Sequence, residues 1–167
     1  NALSNLDDSL VAVQPQFKIE KPKSKMNLAI LAVDDNPANL KLISAMLGDS
    51  VVHIETCTNG YEAVERAKDV DFDLIFMDIQ MPVMDGITAC QTIREGSRNK
   101  ATPIIAVTAH AMSGERDRLL SKGMDDYLTK PIDESILKRM LQQWGKNPHQ
   151  ESPSTENRIL DWPLTLS

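Results

Sequence analysis

The chain has 167 residues, a formal charge of −6, 41% apolar and 4% aromatic residues, and two cysteines. That length suits one domain with tails and is enough to bury a core without staples; two cysteines, Cys57 and Cys90, exclude a disulfide framework and a four-cysteine zinc site. Charge interrupts every apolar run well short of the roughly 18 residues that span a membrane, no signal peptide is expected in this segment, and the acidic balance argues against non-specific binding to nucleic acid.

Residues 1–27 hold four lysines against three acids, and Pro15, Pro22 and the run Lys21-Pro22-Lys23-Ser24-Lys25 read as a polar linker, with Asn1-Ala2 as a cloning scar. Residues 28–33 are a short apolar run, suited to a strand covered on both faces. Asp34-Asp35-Asn36-Pro37 then supplies capping side chains and a first-turn proline, and Leu40, Ile43 and Leu47 recur at helical spacing up to Gly48. Residues 51–57 alternate like a strand, Thr58-Asn59-Gly60 is a turn, and Ala63, Val64 and Ala67 mark a second helix. A third strand over 74–77 ends at Asp78, and 80–86 form a loop punctuated by Pro82 and Gly86. A helix over 87–94, a strand over 103–107, a weaker helix over 114–122 and a short strand over 127–129 follow, the last ending at Lys130-Pro131. Asp133 caps a final helix over 134–144, and residues 146–167, with Pro148 and Pro153, open as a second linker. The segment 28–145 holds 12 basic against 18 acidic groups, so the whole charge excess belongs to it.

Short strands alternating with helices predict an α/β fold, a doubly wound five-stranded parallel sheet with helices on both faces. Such sheets bind ligands beyond the carboxyl ends of their strands. There the sequence places Asp34 and Asp35, Asp78, Thr108 and Lys130. One aspartate at a strand end is most simply a helix cap, but four chemically useful strand ends on one edge outweigh that reading. Carboxylates a few ångströms apart repel by on the order of 4 kcal/mol per pair at an effective dielectric of about 20. A hard divalent cation with oxygen ligands offsets this, and Mg²⁺ suits a site of few carboxylates, water and phosphate oxygens. A metal, a lysine and a hydroxyl around a carboxylate make a phosphoryl-transfer site in which the carboxylate is the nucleophile and forms an acyl phosphate.

Other chemistries lack their residues. There is no G-x-x-x-x-G-K-[ST] or G-x-G-x-x-G loop and no G-x-S-x-G elbow, and His53, His110 and His149 lack ligand spacing. Asp71 and Asp73 read as surface charge, and Cys57 and Cys90 as buried thiols. An aspartyl-phosphate hydrolase would want D-x-D, and Asp78-Ile79-Gln80 lacks the second carboxylate.

The pair Asp34-Asp35, the run from Met77 to Gly86 with Met81-Pro82 and Asp85-Gly86, Thr108-Ala109 and Lys130-Pro131 resemble a response-regulator receiver domain over residues 28–145. The resemblance implies the flavodoxin-like, CheY-like sheet order 2-1-3-4-5. It implies Asp78 as phosphoacceptor, and Asp35, Asp78 and the Gln80 backbone carbonyl as ligands of Mg²⁺ (Mn²⁺ as a substitute), with Asp34 acting mostly through water. It implies that Lys130 contacts the phosphoryl group and that its bond to Pro131 is cis, that Thr108 moves toward the phosphoryl oxygens, and that Tyr127 is the switch aromatic. Gln80 and His110 border the path of the attacking water and are expected to tune dephosphorylation. No position of the core motif is missing, which speaks against a non-phosphorylated scaffold of the same fold.

Residues 34–43 (DDNPANLKLI), 63–68 (AVERAK), 72–86 and 106–112 (AVTAHAM) further resemble the receiver of BarA-type tripartite hybrid sensor histidine kinases, and 159–167 (ILDWPLTLS) the opening of their histidine phosphotransfer domain. The expected partners are therefore the phosphohistidine domain of a histidine kinase and a histidine phosphotransfer domain, with neither nucleic acid nor direct membrane contact. The expected setting is the cytoplasmic part of a bacterial inner-membrane protein, as a monomer or weak dimer. The runner-up is the receiver of a stand-alone or output-linked response regulator. On the first helix Leu40, Ile43 and Leu47 face the core, which leaves Ala38, Lys41, Leu42 and Ala45 outward beside the acidic pocket as the expected docking surface.

Overall fold

A run of consecutive apolar residues can form a strand only where both faces of the sheet are covered. The computed structural model, which describes residues 24–145, supplies that cover. Its strands are β1 (Met26–Val33), β2 (Val51–Cys57), β3 (Leu74–Asp78), β4 (Ile104–Thr108) and β5 (Asp126–Thr129). Its helices are α1 (Pro37–Leu47), α2 (Gly60–Asp69), α3 (Gly86–Gly96), α4 (Glu115–Ser121) and α5 (Glu134–Trp144). All strand pairs are parallel, in the order β2-β1-β3-β4-β5, as the resemblance implied. The expected linkers lie outside the described residues except for 24–27, of which Met26 and Asn27 already belong to β1.

The strands deal their side chains alternately to two cores. Leu31, Val33, Ile75, Met77, Ile104 and Ala106 meet Ala63, Val64 and Ala67 of α2, Ala89, Cys90 and Ile93 of α3, and Leu119 of α4. Ile30, Ala32, Leu74, Phe76, Ile105 and Val107 meet Leu40, Ile43 and Leu47 of α1 and Leu137 and Leu141 of α5. The central strands β3 and β4 are buried at every position, and each large apolar side chain so buried contributes about 1.5–3 kcal/mol. Cys57 and Cys90 are free and buried, and burial pushes both thiols up to about 11, where they are inert.

Four helices start on an Asn or Asp side chain that accepts a first-turn N–H: Asn36, Asn59, Asp85 and Asp133. The fifth, α4, starts at Gly114 with φ 85 and has no side-chain cap, in keeping with the weak helical signal there. At the amino ends of the strands, Asn99 is fully buried. Its Nδ2 donates to the carbonyls of Ala67 and Val70, and its Oδ1 accepts from Phe72 N–H and Thr102 Oγ1. Beside it Arg94 donates to the carbonyls of Gly123, Lys100 and Thr102 and pairs with Asp125 at 2.8 Å. Asp73, expected as surface charge, is half-buried instead: its Oδ2 accepts the Ala29 N–H at 2.7 Å and ties β3 to β1. Asp71 is exposed, as expected, and pairs with Arg98.

Among the described residues no helix is long and apolar enough to cross a membrane.

Candidate functional site at the carboxyl edge of the sheet

The sheet register brings the expected residues together. Val33 pairs with Met77, so Asp34 and Asp78, each the next residue, leave neighbouring strands at the same height, about 4.8 Å apart in the pairing direction. Asp78 pairs with Val107, which puts Thr108 one step beyond it, and Thr108 pairs with Thr129, which puts Lys130 one step further. The peptide bond from Lys130 to Pro131 is cis, as the resemblance implied. The Lys130 N–H donates to the Thr108 carbonyl at 2.8 Å.

Asp34 and Asp78 are 1% and 2% exposed, while Asp35 is exposed. One carboxylate oxygen from each of the three comes within 4.8 Å of the others. Asp34 is well held: Oδ1 accepts the Asn36 N–H at 2.9 Å, and Oδ2 accepts Asn39 Nδ2 at 3.0 Å and lies 3.2 Å from Lys130 Nζ. Asp78 is held on one side only. Its Oδ1 lies 3.2 Å from Lys130 Nζ, and its Oδ2 is buried without a hydrogen-bond partner.

Burial first, and the charge of Asp34 second, push the Asp78 carboxyl up to about 6 against the pull of Lys130. Burial works against the Lys130 ammonium, but Asp78 and Asp34 outweigh it and raise its affinity for the proton. A buried carboxylate oxygen with no donor beside two further carboxylates fits a hard divalent cation, and the three aspartates are the residues that would hold it.

The loop that follows Asp78 folds tightly under it. Gly86 donates its N–H to the Ile79 carbonyl at 2.9 Å, and a Cβ on Gly86 would stand 2.1 Å from the Asp78 carbonyl oxygen, so only glycine fits. The same loop carries Val83 at φ 71, the centre of a γ-turn closed by the Met84 N–H on the Pro82 carbonyl at 2.8 Å. A β-branched residue in that region is strained. Val83 is 91% exposed, so its side chain gains nothing from the core in return.

The remaining expected residues sit around this centre. Thr108 is buried, and its hydroxyl accepts the His110 N–H at 3.1 Å rather than reaching Asp78. Tyr127 is half-buried and packs against the core on the α3 and α4 side. Gln80 and His110 are exposed on their loops. Ala38, Lys41, Leu42 and Ala45 are all exposed on α1, with Leu42 at 41%. Sequence reasoning did not single out Asn39: an asparagine in a first helical turn reads as a local cap, and only the fold shows its amide on Asp34.

The model of the response regulator receiver domain matches residues 30–142. The signal transduction histidine-protein kinase BarA of Escherichia coli (strain K12) is 50% identical over 154 residues, covering 86% of this chain and 17% of that protein. The sensor protein GacS of Pseudomonas syringae pv. syringae is 44% identical over 155 residues, 89% of this chain and 17% of GacS. This chain thus spans about one sixth of the relatives it matches. Among solved structures, the receiver domain of sensor histidine kinase PA1611 from Pseudomonas aeruginosa PAO1, with a magnesium ion coordinated in its active site cleft, superimposes with a TM-score of 0.66 at 39% identity, covering 73% of this chain and 100% of that one. The receiver of the Saccharomyces cerevisiae response regulator Ssk1, crystallised with the histidine phosphotransfer protein Ypd1, gives 0.68 at 31% identity, 74% of this chain and 92% of that one. The family match runs from β1 into α5 and takes in every residue gathered at the carboxyl edge, and on that ground the chain belongs to the response regulator receiver domain family.

Proposed function

We propose that this receiver accepts a phosphoryl group on Asp78 from a phosphohistidine and passes it to the histidine of a phosphotransfer domain, as one station of a phosphorelay within a hybrid sensor histidine kinase. The observation that carries the reading is the Asp78 carboxylate itself, with Lys130 on one oxygen and the other oxygen buried, free of donors and beside Asp34 and Asp35.

Asp35, Asp78 and the Gln80 backbone carbonyl, with Asp34 acting through water, would hold Mg²⁺ or, as a substitute, Mn²⁺; its charge would offset the negative charge that gathers between carboxylate and phosphoryl group. The magnesium ion in the cleft of the P. aeruginosa receiver supports that choice. The Asp78 carboxylate attacks phosphorus, the bond from phosphorus to the donor imidazole nitrogen breaks, and that nitrogen leaves with its electron pair. Lys130, fixed on the same carboxylate, neutralises the phosphoryl oxygens as they arrive. Thr108 turns from the His110 backbone toward the phosphoryl group, and Tyr127 follows into the space this opens. Gln80 and His110 border the path of hydrolytic water and set the lifetime of the acyl phosphate.

The exposed side chains Ala38, Lys41, Leu42 and Ala45 on α1, next to the pocket mouth, receive the helical phosphodonor or acceptor; the receiver crystallised with Ypd1 supports such a partner. BarA and GacS support the hybrid kinase as the setting; in that setting we read the domain as lying on the cytoplasmic side of a bacterial inner membrane, as a monomer or weak dimer. Incubation with Mg²⁺ and acetyl phosphate, followed by intact mass, tests the acceptor: one phosphoryl group gained by the parent and none by Asp78→Asn is expected, and no adduct on folded parent contradicts it.

A further inference from the structure

Lys130 is divided between two carboxylates, at 3.2 Å from Asp34 Oδ2 and 3.2 Å from Asp78 Oδ1. How it is divided depends on what else each carboxylate has. Asp78 has nothing else, since its Oδ2 is without a partner. Asp34 has the Asn36 N–H on Oδ1 at 2.9 Å and the Asn39 amide on Oδ2 at 3.0 Å.

Asn39 thus gives the very oxygen that Lys130 touches a second donor, and one without charge. Asparagine is a poor helix former, and at the third position of a helix its side chain commonly serves the cap. In α1 the cap is made by Asn36, which accepts the Ala38 N–H, and the Asn39 amide turns inward instead. The residue type matters. A carboxylate at 39 would add a fourth anion to Asp34, Asp35 and Asp78, a lysine or arginine would compete with a bound cation, and an apolar side chain would leave Asp34 Oδ2 to Lys130 alone.

We propose that Asn39 is a positioning residue for this site: it fixes the Asp34 carboxylate beside Asp35 and Asp78, and keeps Lys130 from being drawn wholly to Asp34, so that the ammonium stays available to Asp78 and to the group arriving there. The inference rests on the phosphoryl-acceptor reading above. Groups that orient a metal's carboxylates without touching the metal commonly change affinity tenfold or more when removed.

The test uses the full chain with Asn39→Leu, which removes the donor at similar volume, and Asn39→Gln, which keeps an amide. The melting midpoint is followed as Mg²⁺ is added, because a ligand bound by the folded state alone stabilises it by RT ln(1 + [Mg²⁺]/Kd), so the dissociation constant, the half-saturating Mg²⁺ concentration, follows from the rise. For Asn39→Leu the half-saturating Mg²⁺ concentration is expected to rise about tenfold and acetyl phosphate to label Asp78 more slowly. Asn39→Gln is expected to stay within about threefold of the parent in half-saturating Mg²⁺, well inside the loss typical of a removed orienting group. A Leu variant with the parent's Mg²⁺ response, whatever its metal-free midpoint, overturns the proposal, as does a Gln variant no better than Leu. A parent that shows no Mg²⁺ response sinks the acceptor reading and this proposal together, whereas a responsive parent with an equally responsive Leu variant sinks this proposal alone.

Discussion

Lys130 holds one oxygen of Asp78 at 3.2 Å and leaves the other buried without a donor. Asp78 is thus only half neutralised in its own fold, which destabilises the metal-free protein and leaves an oxygen that a cation could take.

This imbalance sets a pH dependence. In the folded protein the Asp78 carboxyl titrates near 6, pushed there from its ordinary 3.8 by burial and then by Asp34. Between those values the folded state holds a proton that the unfolded state releases. The stabilisation is full below pH 3.8 and is lost as pH rises through about 6. Asp78→Asn has no such loss, so without divalent ions it should exceed the parent in stability at pH 7 by up to about 3 kcal/mol, with the gap closing toward pH 4. Urea unfolding of both proteins from pH 4 to 8 in chelator measures this; equal stability at pH 7 would count against it.

Two glycines of α3 make a matched pair. A Cβ on Gly86 meets the Asp78 carbonyl oxygen at 2.1 Å, while one on Gly96 meets nothing within 4 Å. Gly86→Ala should therefore cost about 3 kcal/mol and slow acetyl phosphate labelling, because the backbone of Asp78 must move to admit it. Gly96→Ala should lie within about 1 kcal/mol of the parent, on the stabilising side, and label normally. Calorimetry with intact mass separates them.

Stability and chemistry should separate at Asn99. Its removal leaves the Phe72 N–H and the Ala67 and Val70 carbonyls without their partner at the edge of the sheet opposite the site. Asn99→Ala is expected to lose about 2–4 kcal/mol in denaturant unfolding and, at a temperature where it is folded, to label at the parent's rate.

Docking should separate from chemistry at Leu42, which is 41% exposed on α1. Leu42→Asp should slow transfer from a phosphohistidine domain by about tenfold, the loss of roughly 1.4 kcal/mol from an apolar contact, and leave acetyl phosphate labelling unchanged. Equal slowing with both donors contradicts the docking role.

Most of this fold is legible in the chain because local and global preferences agree. The runs 28–33 and 74–77 need cover on both faces, and Asn36, Asn59, Asp85 and Asp133 stand where helices must start. The polar strand ends were legible for the same reason: an apolar strand that stops at Asp78 or Thr108 marks the edge of the sheet. Other features depend on partners distant in sequence. Asp73 reads as surface charge until β1 brings the Ala29 N–H to it, and Asn99 looks like a loop residue until 67–72 wrap around its amide. The strand at β1 begins earlier than its apolar run because Met26 gains a pairing partner in Val51. At Val83 the residue type points away from the conformation the loop imposes.

The central claim is that Asp78 takes its phosphoryl group from a phosphohistidine. The most direct measurement incubates the chain with Mg²⁺ and a phosphorylated histidine phosphotransfer domain, traps the product with borohydride, and locates the modification by peptide mass spectrometry. An acyl phosphate on Asp78 is expected to appear as homoserine at position 78 and nowhere else, and to be absent without the donor. Folded chain that takes no phosphoryl group from the donor's histidine, or that carries homoserine at position 34 or 35 instead, would contradict it.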